Sequence, residues 1–242
     1  MKASLALEEL KDFGKKSRVG RVSDLARFFK TAPGEYAEGD VFLGGTVPQT
    51  RSVANSFKNL EFVEVQKLFN SPFHEARLCA AIILNLQFKR AKSSQERKRI
   101  FDFYLKQVRA ERINNWDIVD VSAPWMGVYL TEVEDPMPLL IKFSKSKSLW
   151  QRRVSIILTF ALIRAGDLEP TIIISEALLK DKEDLIHKAV GWMLRELGKK
   201  DVNVLRRFLK QHSHEMPRTM LRYAIERLPE PERKRWLTES KS

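Results

Sequence analysis

The 242-residue chain has little of what several common architectures need. A single cysteine excludes a disulfide framework and a multi-cysteine zinc or iron–sulfur site. Ten glycines and ten prolines are too few for collagen-like, linker or turn-rich β architectures. No apolar run approaches the roughly 20 residues that span a bilayer, and acidic residues interrupt the apolar N-terminal stretch, unlike a secretory signal. We therefore expect a cytoplasmic protein that does not associate with a membrane.

The positive charge of the chain is unevenly distributed. The formal net charge is +12, and each of the stretches 86–112, 136–165 and 195–242 carries a net charge of +6. The remainder of the chain is therefore mildly acidic. A directional positive field suits a polyanion such as nucleic acid. The alternative is that the lysines and arginines only solubilise helix surfaces.

Apolar residues recur at three- and four-residue spacing through most of the chain, which predicts helices. Breakers such as Ala32-Pro33-Gly34 and Gly166-Asp167 separate these segments. The β-branched run at 171–175 could form a strand, but its neighbours are helical, so we predict a helix over 169–180. The chain has no glycine-rich turn between a strand and a helix, so no dinucleotide or P-loop site is predicted.

Three segments look like copies of one another. In each, a basic residue heads a run of small and then aliphatic residues, and these heads are Arg77, Arg153 and Lys188. Their spacing fits a repeat of roughly 35–40 residues built from helix pairs, which is typical of an α-solenoid. We therefore predict an all-α fold, a curved α-solenoid with a basic concave face. An irregular helical bundle is the alternative.

The predicted organisation is a single domain over 1–242. Less regular helices occupy 1–70, the core repeats occupy 71–212, and a C-terminal cap occupies 213–242. Such caps close the apolar end of a repeat array.

The segment Trp116-Asp117-x-x-Asp120 combines an indole with two carboxylates. Trp116 and Asp120 are four residues apart and share a helix face, whereas Asp117 lies about 100° round the helix. An acid beside a tryptophan at a helix start also has a plain interpretation, in which the acid offsets the helix dipole and the indole packs.

A second helix places Lys188, Trp192 and Arg195 at i, i+4 and i+7 along one face. Gly191 lies inside this helix, where glycine costs about 1 kcal/mol relative to alanine. Such a glycine indicates that something approaches closely, either another helix or a ligand.

Three motifs carry a family resemblance: N-N-W-D-x-V-D at 114–120, L-W-x-x-R at 149–153, and H-K-A-V-G-W-M-L-R-E at 187–196. They resemble the DNA alkylation repair enzymes, the HEAT-like-repeat DNA glycosylases of the AlkD type. The resemblance is dense over about 74–200 and thinner before it. It implies a solenoid of HEAT-like repeats that cradles duplex DNA and excises cationic N3- and N7-alkylated purines while the damaged base stays stacked.

The resemblance also implies roles for individual residues. Asp120 matches the catalytic carboxylate, and Trp116 and Trp192 match the aromatic pair that packs against the deoxyribose. Arg153 matches an arginine of the catalytic cleft near the DNA backbone, and Arg195 a further basic contact. The other predicted DNA-binding residues are Lys188, Arg152, Thr46 and Arg77.

These roles agree with the chemistry of the implied reaction. An alkylated purine is already cationic, so it leaves without a general acid, and positive charge develops on the sugar. A fixed carboxylate stabilises that charge and aligns the attacking water, while tryptophan faces attract cationic groups. We predict no metal and no cofactor. The predicted partner is double-stranded DNA containing alkylated bases, bound by a monomer without an obligate protein partner.

Some positions depart from the family pattern. Asp184-Leu185 stands where some relatives carry an aromatic pair, Phe28 where a tyrosine may stand, and Thr46 where a longer polar side chain occurs. Plain interpretations of Phe28 as a core residue and Thr46 as a turn residue are slightly favoured. His74 and His187 head helices, and we expect neither to have a partner that would make it a general base.

Two other functions stay open at this stage. One is a non-catalytic helical-repeat protein that binds damaged or distorted DNA. The other is a protein-binding helical scaffold, a common use of solenoids.

Overall fold

The computed structural model describes residues 1–239, and its secondary structure in this range is helical apart from one isolated parallel bridge between Val41 and Phe73. The predicted all-α class is confirmed, and the β-branched run at 171–175 is helical as predicted. A 3-10 helix, Gly127–Glu132, follows the seventh of the α-helices in this range. These are α1 Ala3–Lys15, α2 Arg21–Phe28, α3 Val47–Ser56, α4 Phe62–Phe69, α5 His74–Arg90, α6 Ser94–Arg109, α7 Trp116–Met126, α8 Met137–Ser144, α9 Leu149–Ala165, α10 Glu169–Ala177, α11 Asp184–Lys200, α12 Val202–His212, α13 Arg218–Ala224 and α14 Glu230–Glu239.

The chain divides into two compact units, Met1–Ser122 and Ala123–Ser242. The single domain with internal boundaries near residues 70 and 212 stays a prediction. No helix in the described range is both long enough and apolar enough to cross a membrane.

The first unit is built around α5. Nearly every side chain of α5 is buried, including Ile83 and Leu84, as expected for a helix that is covered on all sides. Helices α3, α4 and α6 pack against it, and α1 lies on α3 and α4. The start of α5 is therefore fixed by packing, and side chains from neighbouring loops can bind against it.

The second unit is built around α9 and α11, which pack on each other. Helices α8 and α10 cover α9, and α12 and α13 cover α11. A Cβ atom at Gly191 would lie 2.5 Å from the carbonyl oxygen of Met220 and 2.5 Å from the Cβ of Tyr223. Close approach of α13 therefore requires glycine at this position, which decides between the two interpretations of Gly191 in favour of a neighbouring helix.

A repeated side-chain device appears at the starts of four helices. The fourth residue of each helix donates a side-chain hydrogen bond to the carbonyl oxygen six residues before it, which satisfies a carbonyl group in the preceding turn. The four bonds are Arg77 to Ser71 (3.0 Å), Arg97 to Ala91 (3.2 Å), Arg152 to Ser146 (3.1 Å) and His187 to Asp181 (2.6 Å).

This device corrects the register of the predicted repeat. Arg152 and His187 are equivalent to Arg77 by their bonds, so the heads Arg153 and Lys188 chosen from the sequence lie one residue too late. The error arose because two adjacent basic or polar residues start both α9 and α11, and the sequence does not show which of them turns back to the preceding loop.

Candidate functional site

The start of α7 lies against a buried group of polar side chains, which we call the polar cradle: Asp40, His74 and Arg77. His74 begins α5 and Arg77 lies three residues later, so both face the same side. Asp40, in the loop before α3, accepts hydrogen bonds from His74 Nδ1 at 3.0 Å and from Arg77 Nη2. The three side chains are only 3 to 6% exposed. Charges this deeply buried are tolerable because they are paired and hydrogen-bonded.

The polar cradle binds the segment 114–117, which begins α7, through three of the four residues of that segment. Each bond joins a cradle side chain to a side chain of the segment 114–117, and the backbone of that segment opens the helix. The three bonds are Arg77 Nε to Asn114 Oδ1 (3.1 Å), Asn115 Nδ2 to Asp40 Oδ2 (3.2 Å) and His74 Nε2 to Asp117 Oδ2 (2.8 Å).

Trp116, the remaining residue of that segment, is held by aromatic contacts. Its indole stacks on Phe29, with ring centroids 5.4 Å apart and planes 20° apart, and Phe28 meets it edge-on at 5.9 Å. Phe28 is 63% exposed, so its interpretation as a core residue is wrong. The residue packs beside Trp116 at the surface of the first unit.

His74 is the electrostatic centre of the polar cradle. Burial alone lowers the pKa of His74, but the carboxylates of Asp117 and Asp40 outweigh burial and raise this pKa to about 9. Burial also opposes ionisation of Asp40, but bonds from His74 and the charge of Arg77 hold the pKa of Asp40 below its usual value. His74 is therefore an imidazolium at neutral pH and donates both N–H groups.

His74 has two carboxylate partners, and the question raised by the sequence is whether either makes it a general base. Its ring also lies against Phe42, with centroids 4.7 Å apart, and against Phe29 at 4.9 Å. Aromatic faces favour an adjacent cation. A protonated ring whose two N–H groups are both bonded is nevertheless not a general base.

Asp120 lies one turn beyond Trp116 on α7, and both side chains are half-buried. Asp117, between them in sequence, turns instead into the polar cradle and is 14% exposed. Burial raises the pKa of Tyr104, and the negative charge of Asp120 raises it further. The structure thus gives the two acids of the W-D-x-x-D motif different surroundings.

In the second unit, the two arginines at the start of α9 are bound within the protein. Arg153 is buried and donates from Nη1 to the carbonyl oxygen of Leu185, which joins α9 to the start of α11. Arg152 Nε donates to Asp181 Oδ2 at 2.6 Å. These bonds give both arginines a structural role in the contact between the two helices.

On the basic face of α11, Lys188 is more accessible than Arg195, whose side chain is 19% exposed. Lys188 forms an ion pair of 2.7 Å with Asp184 and remains 40% exposed, and Arg195 pairs with Glu226. Trp192 is half-buried, with its ring 6.1 Å from that of Phe160. The bond from Lys188 also lowers the pKa of Asp184, so this departure from the family pattern has a local electrostatic role.

Two residues predicted to contact DNA in the first unit have local structural roles. Thr46 caps α3: its N–H donates to Gln49 Oε1 at 2.8 Å, and Gln49 N–H donates to Thr46 Oγ1 at 3.3 Å. This capping box confirms the interpretation of Thr46 as a turn residue. Arg77 is buried, and its Nε, Nη1 and Nη2 all donate within the protein. A direct contact of Arg77 with DNA would require those bonds to break.

Comparison with known proteins assigns the family. The family model for the DNA alkylation repair enzyme matches residues 7–228, across both units. The chain belongs to the DNA alkylation repair enzyme family. It is therefore an enzyme of DNA repair that acts on alkylation damage, and DNA is its partner.

A solved structure supports the fold of this DNA alkylation repair enzyme. It is similar to a protein described as a predicted DNA alkylation repair enzyme from Enterococcus faecalis, with a TM-score of 0.68 and 16% sequence identity over 88% of this chain and 97% of that one. The search among curated proteins gave no significant match. The likeness bears out the α-solenoid class predicted from the helical repeat.

The polar cradle is the part of the site that sequence reasoning missed. His74 and Arg77 form an H-x-x-R pattern at a helix start, and Asn114-Asn115 precedes the tryptophan, so both partners were visible as unexplained polar residues. Asp40 gave no signal because it lies in an irregular loop with no periodic pattern. In the described range, no group of three or more His, Cys, Asp or Glu side chains could hold a metal ion.

Proposed function

We propose that this repair enzyme is a DNA glycosylase that hydrolyses the N-glycosidic bond of cationic N3- or N7-alkylated purines in duplex DNA. The observation that carries the proposal is the pairing of Trp116 and Asp120 on α7. Both are half-buried and lie one turn apart, so an indole and a carboxylate are presented together by a chain of this family.

The chemistry needs little more than a placed carboxylate. A purine alkylated at N3 or N7 departs as a neutral base and leaves positive charge on the deoxyribose. Asp120 stabilises that developing charge and aligns the water that attacks the sugar. The face of Trp116 adds attraction for the cationic sugar and keeps bulk water away from it.

The second unit contributes DNA contacts in this proposal. Lys188 forms an exposed ion pair of the kind that contributes little stability, so it can exchange Asp184 for a DNA phosphate. Arg195 is more buried, and it contacts a phosphate in this proposal by releasing the exposed carboxylate of Glu226. Trp192 offers a half-buried indole on the same helix. In this proposal Arg153 and Arg152 do not contact DNA directly. Their hydrogen bonds fix the starts of α9 and α11.

The decisive experiment is a base-release assay. Methylated duplex DNA is incubated with the enzyme, and free 3-methyladenine and 7-methylguanine are measured. Asp120→Asn should lower the release rate by at least about 100-fold while duplex affinity stays within a few-fold, because the variant keeps the shape but loses the charge. Asp167→Asn is the matched control, since Asp167 is exposed in a turn after α9.

Two results would overturn the proposal. Equal release by the wild type and by Asp120→Asn would remove Asp120 from the chemistry. Salt-dependent binding of damaged duplex by the wild type without any base release would replace the glycosylase by a non-catalytic DNA binder.

A further inference from the structure

We propose that His74 is a positioning residue for base release: as an imidazolium it ties α5 and the Asp40 loop to the first turn of α7, and so fixes the places of Trp116 and Asp120. This inference rests on the proposed function for its effect on the reaction. Its structural part, that His74 holds the start of α7, stands on the geometry alone.

The geometry requires both ring nitrogens of His74 to be donors. Nδ1 lies 3.0 Å from Asp40 Oδ2, and Nε2 lies 2.8 Å from Asp117 Oδ2. A neutral imidazole has one N–H, so one of the two carboxylates would then face a lone pair. Only the protonated ring bridges the loop and α7 at the same time.

Few other charges face His74. Asp40 from the loop and Asp117 from α7 bind it, and Arg77 from its own helix shares Asp40 with it. Glu75, the next residue of α5, turns away and accepts the backbone N–H groups of Leu43 and Gly44 at 2.9 and 2.8 Å. Phe29 and Phe42 lay their apolar faces on the ring. The imidazolium is therefore balanced by two carboxylates, with one guanidinium sharing one of them.

The start of α7 is held by a chain of side-chain hydrogen bonds. Trp116 N–H donates to the Asn115 side chain at 2.8 Å, and Val119 N–H donates to the Asn115 carbonyl at 3.1 Å, so the helix opens at a residue that is itself bound to Asp40. Loss of the His74 bridge releases Asp117 Oδ2 in the same turn, while Asp117 Oδ1 still accepts the Ile118 N–H at 2.8 Å. Displacement of a reacting group by about 1 Å can cost about 100-fold in rate.

The test compares three variants with the wild type: His74→Gln, Asp117→Asn and the double variant. Glutamine cannot bridge both carboxylates, whereas the double variant replaces the charged pair by two neutral amides. Hydrogen exchange of amides in 114–122 is measured first. We expect faster exchange there in His74→Gln, with exchange in α9 and α11 unchanged, and partial recovery in the double variant. This readout does not depend on enzymatic activity, so it separates failure of the inference from failure of the proposed function.

The reaction is then measured under single-turnover conditions, separately from duplex affinity. We expect His74→Gln to lower the release rate at least about tenfold with affinity changed less than about threefold, and the double variant to regain part of the rate. The wild-type rate should fall with a midpoint near pH 9, where His74 loses its proton, and this limb should be absent from the double variant. DNA without enzyme serves as the background at each pH.

Some outcomes would overturn the inference. Unchanged exchange in 114–122 after His74→Gln would show that the bridge does not hold α7. A rate and an affinity that fall by the same factor would indicate loss of folded protein instead of misplacement. If the wild-type rate of base release did not fall near pH 9, protonation of His74 would not be needed for the reaction.

Discussion

Trp116 and Trp192, the two tryptophans of the family motifs, are positioned in different ways. Trp116 lies at the first residue of α7, where the helix itself offers little constraint, and its place is set by Phe29 and by the polar cradle around residues 114–117. Trp192 lies in the middle of α11, where the backbone bonds of the helix fix it and Gly191 lets α13 pack closely beside it.

This difference shows which interactions fix the position of each tryptophan. The first unit uses buried charges and long-range hydrogen bonds, which are sensitive to single substitutions and to pH. Around Trp192, the second unit instead uses helix geometry and close backbone packing, which are sensitive to added volume. The following predictions test this contrast in order of decreasing effect.

The largest effect is expected for Asp40→Ala. This substitution leaves the imidazolium of His74 and the guanidinium of Arg77 without their shared carboxylate in a buried site. Removing one partner of a buried ion pair costs about 3–5 kcal/mol. Urea unfolding should show a loss of that size, with Asp167→Ala as the control. A loss below about 1 kcal/mol would show that the polar cradle contributes little to the first unit.

The second prediction concerns pH. Folded His74 has a pKa of about 9, compared with about 6.5 in an unfolded chain, so the folded protein binds more protons between these values. The contribution of His74 to the free energy of unfolding is therefore fully present below pH 6.5 and is lost as the pH rises through 9. The loss is roughly 3 kcal/mol from the size of the shift. It is measured as the difference between the wild type and His74→Gln in urea unfolding at pH 6 to 10, and parallel curves would contradict it.

A smaller effect is expected in the second unit for Gly191→Ala. The added methyl group would meet the Met220 carbonyl oxygen and the Tyr223 Cβ at 2.5 Å, so α13 must shift. Overpacking of this kind costs about 1–3 kcal/mol, and the cost should be the same at pH 6 and at pH 8. Gly45→Ala is the control, because the atom nearest to its Cβ would be 3.9 Å away. A neutral Gly191→Ala would show that the contact between α11 and α13 can relax.

The smallest effect on stability is expected for Phe28→Ala. Because Phe28 is 63% exposed and meets Trp116 only edge-on, its removal should cost less than about 1 kcal/mol in thermal or urea unfolding. Phe29→Ala provides the contrast, since Phe29 is buried and stacks on Trp116, and should cost about 3–5 kcal/mol. Equal losses for the two variants would mean that Phe28 is part of the core of the first unit.

The helices could be predicted from the sequence because local periodicity and breakers determine them. The β-branched run at 171–175 followed its helical neighbours, and Gly191 correctly indicated a close approach. The repeat was found, but its register was off by one residue in α9 and α11, because choosing between adjacent residues such as Arg152 and Arg153 requires knowing which side chain turns back to the preceding loop.

The sequence by itself determined the helical class, the family motifs and the shared face of Trp116 and Asp120, since each of these depends on residues within one or two helical turns. Only the tertiary structure decided that Asp117 serves a buried histidine, that Phe28 lies at the surface, and that Asp40 joins α5 to α7. Those facts depend on groups 34 to 88 positions apart in the chain. A hydrogen bond or a stacked ring across such a separation leaves no periodic trace in the sequence, although it sets protonation states and the place of each side chain.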